Sequence, residues 1–333
     1  MAVTLKDIAE KVGVSESTVS RVLNGIPKAS KETREEIFKV ARELNYTPNE
    51  VARSLVTKKT NTIGLIISDL SNLYFSMVAD GIESIAAQND YSLLISTTGG
   101  REEEELKYIR IYKEKRVDGL IYISGKMPQS CEQALQNLDI PVVVVSRYLH
   151  SNLPSVHIDN VKESLKAVQY LIDLGHKNIA MISGDYKDIE SGALRVKGYK
   201  KALERNNIEF NSDLVFEGDF KLDSGMKAMK NILKLKPCPT AVFVGSDEMA
   251  AGAIKVIKKS GLKVPDDISI IGFDNNIIAR VSEPELTTVG QPEKEIGEAA
   301  MDMLHKLIQG NEVEDINIYL PCKLIEREST ARL

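Results

Sequence analysis

An all-α helix-turn-helix head followed by an α/β body of two doubly wound subdomains is the fold class that this 333-residue sequence predicts. Three observations predict it. Apolar residues recur at helical spacing through residues 4–45, with a break at Gly13. From Thr62 onward, short β-branched runs alternate with amphipathic helical stretches, the pattern of largely parallel sheets flanked by helices. These strand-like runs form two sets, with a boundary near Asp159.

Composition frames this reading. A chain of this length buries a large core and divides into two or three domains. Its 43% hydrophobic and 27% charged residues are ordinary for a soluble globular protein. It has no run of about 18 apolar residues, so no membrane span is expected. The opening MAVTLKDIAE lacks a basic stretch followed by an apolar core, so a cytoplasmic location is expected rather than secretion. Cys131, Cys238 and Cys322 lie far apart, with no CxxC, and read as reduced thiols; no metal or cofactor is expected. The net charge of -5 conceals an asymmetry. Residues 1–60 carry 11 Lys+Arg against 8 Asp+Glu, and the remainder 32 against 40. A basic head on an acidic body suits a head that meets a polyanion.

The head comes first, residues 1–46. Ile8, Ala9 and Val12 make one helical stripe, Val19, Val22 and Leu23 a second, and Ile37, Val40, Ala41 and Leu44 a third. Thr4 and Ser15 are placed as N-caps. The second helix, about Ser15 to Asn24, shows small polar groups on its other face. Residues 47–60 form a hinge and linker. Thr47 and Glu50 have capping-box spacing, with Pro48 at the first helical position, so a helix opens there and runs to about Leu55. It is too short to stand alone in water and is expected to form only against a partner.

The body is residues 61–333. Its first strand set is Thr62–Ile67, Tyr91–Ile95, Gly119–Ile123 and Pro141–Val145. The second is Ile179–Ile182, Thr240–Val244 and Ile268–Ile271, with a last strand at Lys323–Glu326. The acidic run Glu102–Glu105 reads as a solvated helix start at the favourable dipole end, and His176 as a cap at a helix end.

Several of these segments together resemble the LacI/GalR family of bacterial transcription regulators. They are Leu5-Lys-Asp-Ile-Ala9, Thr18-Val-Ser-Arg-Val-Leu-Asn-Gly25, Pro48-Asn49 and Val51-Ala52-Arg53 with Leu55. Gly245-Ser-Asp247, Val264-Pro265, Ile271-Gly-Phe-Asp274 and Gln291-Pro292 extend the likeness over nearly the whole chain. The resemblance implies a hinge helix and a two-lobed body like a periplasmic sugar-binding protein, with three crossings between lobes. That places lobe one at about 61–159 plus 292–320, and lobe two at about 160–291 plus 321–333.

The resemblance also implies a DNA-reading face. Glu16, Ser17 and Arg21 are the expected base readers in the major groove, and Arg21 suits a bidentate contact to guanine, about 1–3 kcal/mol of discrimination. Thr4, Ser15, Thr18 and Asn24 are expected to position the backbone. Leu55 taken alone reads as a core residue; the resemblance makes it a wedge, one from each subunit of a homodimer, prying a central CpG step of a pseudo-palindromic operator. Asn49, Ala52 and Arg53 would line the minor groove there, with Lys58 and Lys59 on phosphates.

For the body the resemblance implies a small-molecule effector, a sugar, between the lobes. Arg195, Asp247, Asp274 and Gln291 match its pocket positions, and Tyr74, Phe75 and Phe220 offer flat walls for a sugar ring. Charged groups beside an apolar slot suit a polyol, whose desolvated hydroxyls each need a partner. Plainer readings exist: Arg195 and Asp274 as a simple pair across the cleft, Phe75 and Phe220 as core, Tyr74 and Asn72 as outer surface. Two departures narrow the ligand. The purine-sensing branch has a further arginine where this chain has Ile189. The catabolite-control branch, similar through Gly218-Asp219 and Asp223-Ser-Gly225, grips a seryl-phosphorylated carrier protein with an arginine where this chain has Asp302. A carrier-protein-activated regulator is therefore the alternative. No GxxxxGK[ST], HExxH or GxSxG occurs and the four histidines lack metal spacing, so no enzymatic activity is expected. A transporter's solute-binding protein would share the body but not the head.

Overall fold

The structure is a computed structural model that describes residues 3–23, 28–46, 59–147 and 152–333. It separates into two compact units, Met1–Thr60 and Asn61–Leu333. Asn24 and the hinge positions Asn49, Ala52, Arg53 and Leu55 lie outside the described residues.

The first unit contains helices α1 (Leu5–Val12), α2 (Glu16–Leu23) and α3 (Lys31–Glu43). Thr4 opens α1 with a full capping box: its hydroxyl accepts from the Asp7 amide at 3.4 Å, and the Asp7 carboxylate accepts from the Thr4 amide at 2.8 Å. Gly13 closes α1 at φ 77°, a left-handed conformation that side chains resist. Ser15 caps α2, its hydroxyl accepting from the Thr18 amide at 3.2 Å. Helices of 8, 8 and 13 residues are marginal alone. A shared core of Ile8, Val19, Val22, Ile37 and Val40 holds them together.

In the second unit, two six-stranded sheets carry the chain. The strands are β1 (Thr62–Ile67), β2 (Ser92–Thr97), β3 (Gly119–Ile123), β4 (Val142–Val145), β5 (Ser155–His157) and β6 (Ile179–Ser183). They continue as β7 (Val215–Glu217), β8 (Ala241–Val244), β9 (Ser269–Asp274), β10 (Thr287–Gly290), β11 (Asn317–Tyr319) and β12 (Lys323–Ile325). The first sheet runs β11-β5-β4-β3-β1-β2 and the second β12-β10-β9-β8-β6-β7. Among the described residues every pairing is parallel except β12 against β10. In each sheet the winding reverses direction once, between β1 and β3 and between β6 and β8, which opens a crevice beyond the strands' carboxyl ends. The all-α head and doubly wound α/β body are as the sequence predicts.

Four strands were not visible in the sequence: β5, β7, β10 and β11. Each has three or four residues, and β10 is Thr-Thr-Val-Gly, too short and too polar for its period to stand out. Two side chains also differ from expectation. Glu105 is not solvated: it is 1% exposed and accepts from the Tyr122 hydroxyl at 2.7 Å and the Ser124 hydroxyl at 2.9 Å. Glu102 and Glu103 on the same turn of the helix Glu102–Lys115 stay exposed, as the sequence predicts. His176 is more than a cap. Its ring is buried between the Thr240 hydroxyl at 2.9 Å and the Ala331 carbonyl at 3.1 Å, so it pins the C-terminal segment to the second sheet.

The helices Leu73–Gln88 and Glu293–Ile308 cross backbone to backbone at Gly81 and Gly297. A Cβ on Gly297 would lie 2.1 Å from the Val78 carbonyl oxygen. No helix among the described residues is long and apolar enough to cross a membrane. Overpacking of this kind costs typically about 1–3 kcal/mol. Gly297→Ala is therefore expected to lower the urea midpoint of unfolding by that order, and an unchanged midpoint would show that the crossing tolerates a side chain.

Candidate functional site

On the head, Ser15, Glu16, Ser17 and Arg21 are exposed at the start and outer face of α2, with Thr4 exposed at the cap of α1 and Thr18 half-buried. The Ser15 hydroxyl lies 2.9 Å from both the Ser17 and Thr18 hydroxyls. Val19 and Val22 turn the opposite face of α2 into the core, so polar groups of short reach occupy the outer side. Arg21 is the one cation on that helix.

In the body, a cavity of about 80 Å³ lies beyond the carboxyl ends of both sheets. Tyr74, Phe75, Arg195, Phe220, Asp274 and Gln291 line it together. Each is delivered by the segment that follows a strand: Tyr74 and Phe75 after β1, Arg195 after β6, Phe220 after β7, Asp274 at the end of β9, Gln291 after β10. Asn72 caps the helix Leu73–Gln88 by accepting from the Tyr74 amide at 2.9 Å, and that cap aims both side chains inward rather than to the outer surface. The Tyr74 hydroxyl pairs with Ser146. Gly184 leaves room for the Phe220 ring: a Cβ there would lie 1.9 Å from its Cζ. Phe220 at φ 67° and Asp274 at φ 119° hold left-handed backbone that non-glycine residues rarely adopt, and such strain collects at functional sites.

Arg195 is 3% exposed. Its Nε donates to Asn160 Oδ1 at 2.9 Å and Nη1 to the Gly245 carbonyl at 2.6 Å. The guanidinium lies 3.6 Å from the Phe273 ring centroid. No ion pair joins it to Asp274, so the two are not a simple pair across the cleft. Asp274 accepts from Gln291 Nε2 at 2.7 Å. Burial pushes its carboxyl up to about 6, against the lowering pull of Arg195 and Gln291. Burial also raises Asp188, which lines the same cavity.

Asp247 is a correction. It is fully buried and does not line the cavity. It accepts from the Thr288 hydroxyl at 2.6 Å and the Asn276 amide at 3.0 Å, and so fixes the floor beneath Asp274 and Asn276. Its neighbour Glu248 faces the cavity instead. Sequence reasoning also missed Ser146, Asn160, Asp188, Ser246 and Asn276. All five follow strand ends, so the rule that ligands bind there would have found them had it been applied strand by strand. Two ion pairs, Lys126–Asp185 at 2.9 Å and Lys221–Asp69 at 3.5 Å, join segments that follow strands of opposite sheets. Both are part-exposed and worth little individually.

Residues 4–49 match the family described as bacterial regulatory proteins, lacI family, and residues 168–330 match the periplasmic binding protein-like domain. The chain is 40% identical to catabolite control protein A of Priestia megaterium, over 99% of this chain and 100% of that protein. It is similar to a crystal structure of the lac repressor dimer bound to operator and the anti-inducer ONPF, with a TM-score of 0.90 and 33% identity over 99% and 100% of the two chains. It is also similar to a complex of the transcriptional regulator CelR with cellobiose, with a TM-score of 0.76 and 31% identity over 98% and 99%.

Removing the Asp247 carboxyl strands the Thr288 hydroxyl and the Asn276 amide in a dry interior, which costs about 1–3 kcal/mol. Asp247→Ala is expected to lose that much stability in urea unfolding; a variant as stable as the parent would contradict the structural role given to Asp247.

Proposed function

The chain belongs to the LacI family of bacterial regulatory proteins, and on that premise we propose that it represses sugar-utilisation genes and that a small sugar in the body's cleft sets its affinity for operator DNA. It is a DNA-binding transcriptional regulator with an effector-binding body, not an enzyme. The observation that carries the sugar reading is the cleft itself. Hydrogen-bonding groups of both kinds, on Arg195, Asp274, Gln291 and Asn276, face one small space walled by Tyr74, Phe75 and Phe220. A ring with several hydroxyls satisfies such a set of donors and acceptors, and an apolar ligand would leave it unpaired. The space is small beside typical ligand sites of about 300–1,000 Å³. A monosaccharide is therefore favoured over a disaccharide.

On the DNA side, Glu16, Ser17 and Arg21 read bases in the major groove, while Thr4, Ser15, Thr18 and Asn24 hold phosphates. Asn49, Ala52, Arg53 and Leu55 enter the minor groove of a pseudo-palindromic, CpG-centred operator bound by a homodimer in the cytoplasm. The lobes run 61–159 with 292–320 and 160–291 with 321–333. The effector acts by binding two lobe arrangements unequally, and a coupling of about 1–3 kcal/mol is typical.

A second reading is favoured by the identity to catabolite control protein A. There a seryl-phosphorylated carrier protein would activate DNA binding. Asp302 stands exposed on the helix Glu293–Ile308, where an anion would be repelled.

Fluorescence anisotropy of a labelled, CpG-centred palindromic operator at fixed salt separates the readings, because phosphate contacts make affinity salt-dependent. Tight binding released by one monosaccharide is expected, with Arg21→Ala costing about 1–3 kcal/mol of specific affinity. Binding that appears only with the phosphorylated carrier protein would establish the second reading. Operator affinity indifferent to every sugar and to the carrier protein would contradict both.

A further inference from the structure

Three carboxyl groups meet where the chain leaves β10 and enters the helix Glu293–Ile308. Asp247, Asp274 and Glu293 are 0%, 8% and 7% exposed. Asp247 has the Thr288 hydroxyl and the Asn276 amide, and Asp274 has Gln291. Glu293 Oε1 is buried with no hydrogen-bond partner among the described residues.

No cation forms an ion pair with these groups among the described residues, and Arg195 lowers Asp274 only from a distance. Arg195 makes no ion pair with any of the three; its donors go to Asn160 and Gly245 and its face to Phe273. Lys294, next in sequence, turns outward to Asp80 at 3.1 Å. Glu295 adds like charge from the same turn. The helix packs on Leu73–Gln88, which brings Tyr74, its hydroxyl engaged with Ser146. It also packs on β3 and β4, which are apolar apart from Tyr122, itself donating to Glu105. The third strand beneath it, β5, brings His157, which burial holds near 4 and therefore neutral at pH 7. Like charges this close in a dry cluster cannot all be ionised, and the member without a donor is the one to keep its proton.

We infer that Glu293 is a proton-binding site: it is an un-ionised carboxylic acid at neutral pH, beside the crossover between the two sheets, and the stability of the fold is linked to pH through it. The proton site does not rest on the effector reading of the cleft, and it is testable on the effector-free chain. Burial is the largest cause raising Glu293, to about 9, followed by Asp274 and Asp247. The same two causes, burial and then Asp274, raise Asp247.

A carboxyl whose folded value lies above its unfolded one contributes full stability below the unfolded value, near 4.5, and loses it as pH rises toward about 9. Glu293→Gln keeps the shape of the acid and removes the proton equilibrium. Urea unfolding of the full chain and this variant at pH 6, 7 and 8 reads the difference. The unfolding constant of the parent is expected to rise against that of the variant by up to about tenfold per pH unit. The difference between the infrared spectra of parent and variant at pH 7 is expected to contain the carbonyl band of an un-ionised carboxylic acid. A ratio of unfolding constants that does not change with pH, or a difference spectrum without the band, overturns the inference. Should Glu293→Gln fail to fold, Asp274→Asn decides. It removes the second cause, so the band should titrate away at lower pH than in the parent, and an unchanged midpoint overturns the inference. Failure of the effector reading looks different: no sugar response, with the band intact.

Discussion

Arg195 is the one cation among the described residues that line the cleft, and its fork is already committed by the surrounding fold. Asn160 at the start of one helix, Gly245 at the end of β8 and the Phe273 ring on β9 hold the guanidinium from three sides. Burial works against its charge, and Asp274 and Asp188 work to keep it. This arrangement fixes where everything else can stand. Asp274 must remain near enough to be lowered by the guanidinium yet stays clear of a direct ion pair, and Gln291 reaches back to it from the crossover. Asp247, one layer down, holds the β9 end in place through Asn276. A ligand entering such a site meets oriented polar groups that need little rearrangement, which is the economy of a preorganised pocket.

The cleft's two walls belong to elements that also touch each other far from it. Tyr74 opens the helix Leu73–Gln88, and Glu293 opens the helix Glu293–Ile308. The two helices are locked at Gly81 and Gly297, where no side chain separates the backbones. This crossing ties the helix that carries Tyr74 directly to the helix that Glu293 opens.

Much of this was legible in the sequence, for physical reasons that differ by region. The head was readable because three short stripes, a glycine break and two hydroxyl caps each have a local cause. The long buried strands announced themselves as β-branched runs. β5, β7, β10 and β11 did not, because three or four residues carry no measurable period, and their positions follow from sheet pairing rather than from local preference. Six cleft residues were found through resemblance, while Asp247 was misplaced by one residue: it and Glu248 are adjacent on the first turn of a helix, and only the fold decides which turns inward. Glu105 failed for a similar reason. Four consecutive glutamates look solvated, and the groups that donate to the buried one, Tyr122, Ser124 and Cys131, come from other elements.

The central claim is that a buried, pre-positioned guanidinium makes the cleft responsive to its effector. Arg195→Lys tests it most directly. Lysine keeps the charge but cannot serve Asn160, Gly245 and a ligand hydroxyl with one planar fork. Operator binding by the variant should match the parent, while the concentration of the active sugar needed to release DNA should rise at least about tenfold, a loss of about 1.4 kcal/mol. A variant that binds operator and responds to sugar at the parent's concentration would contradict the account.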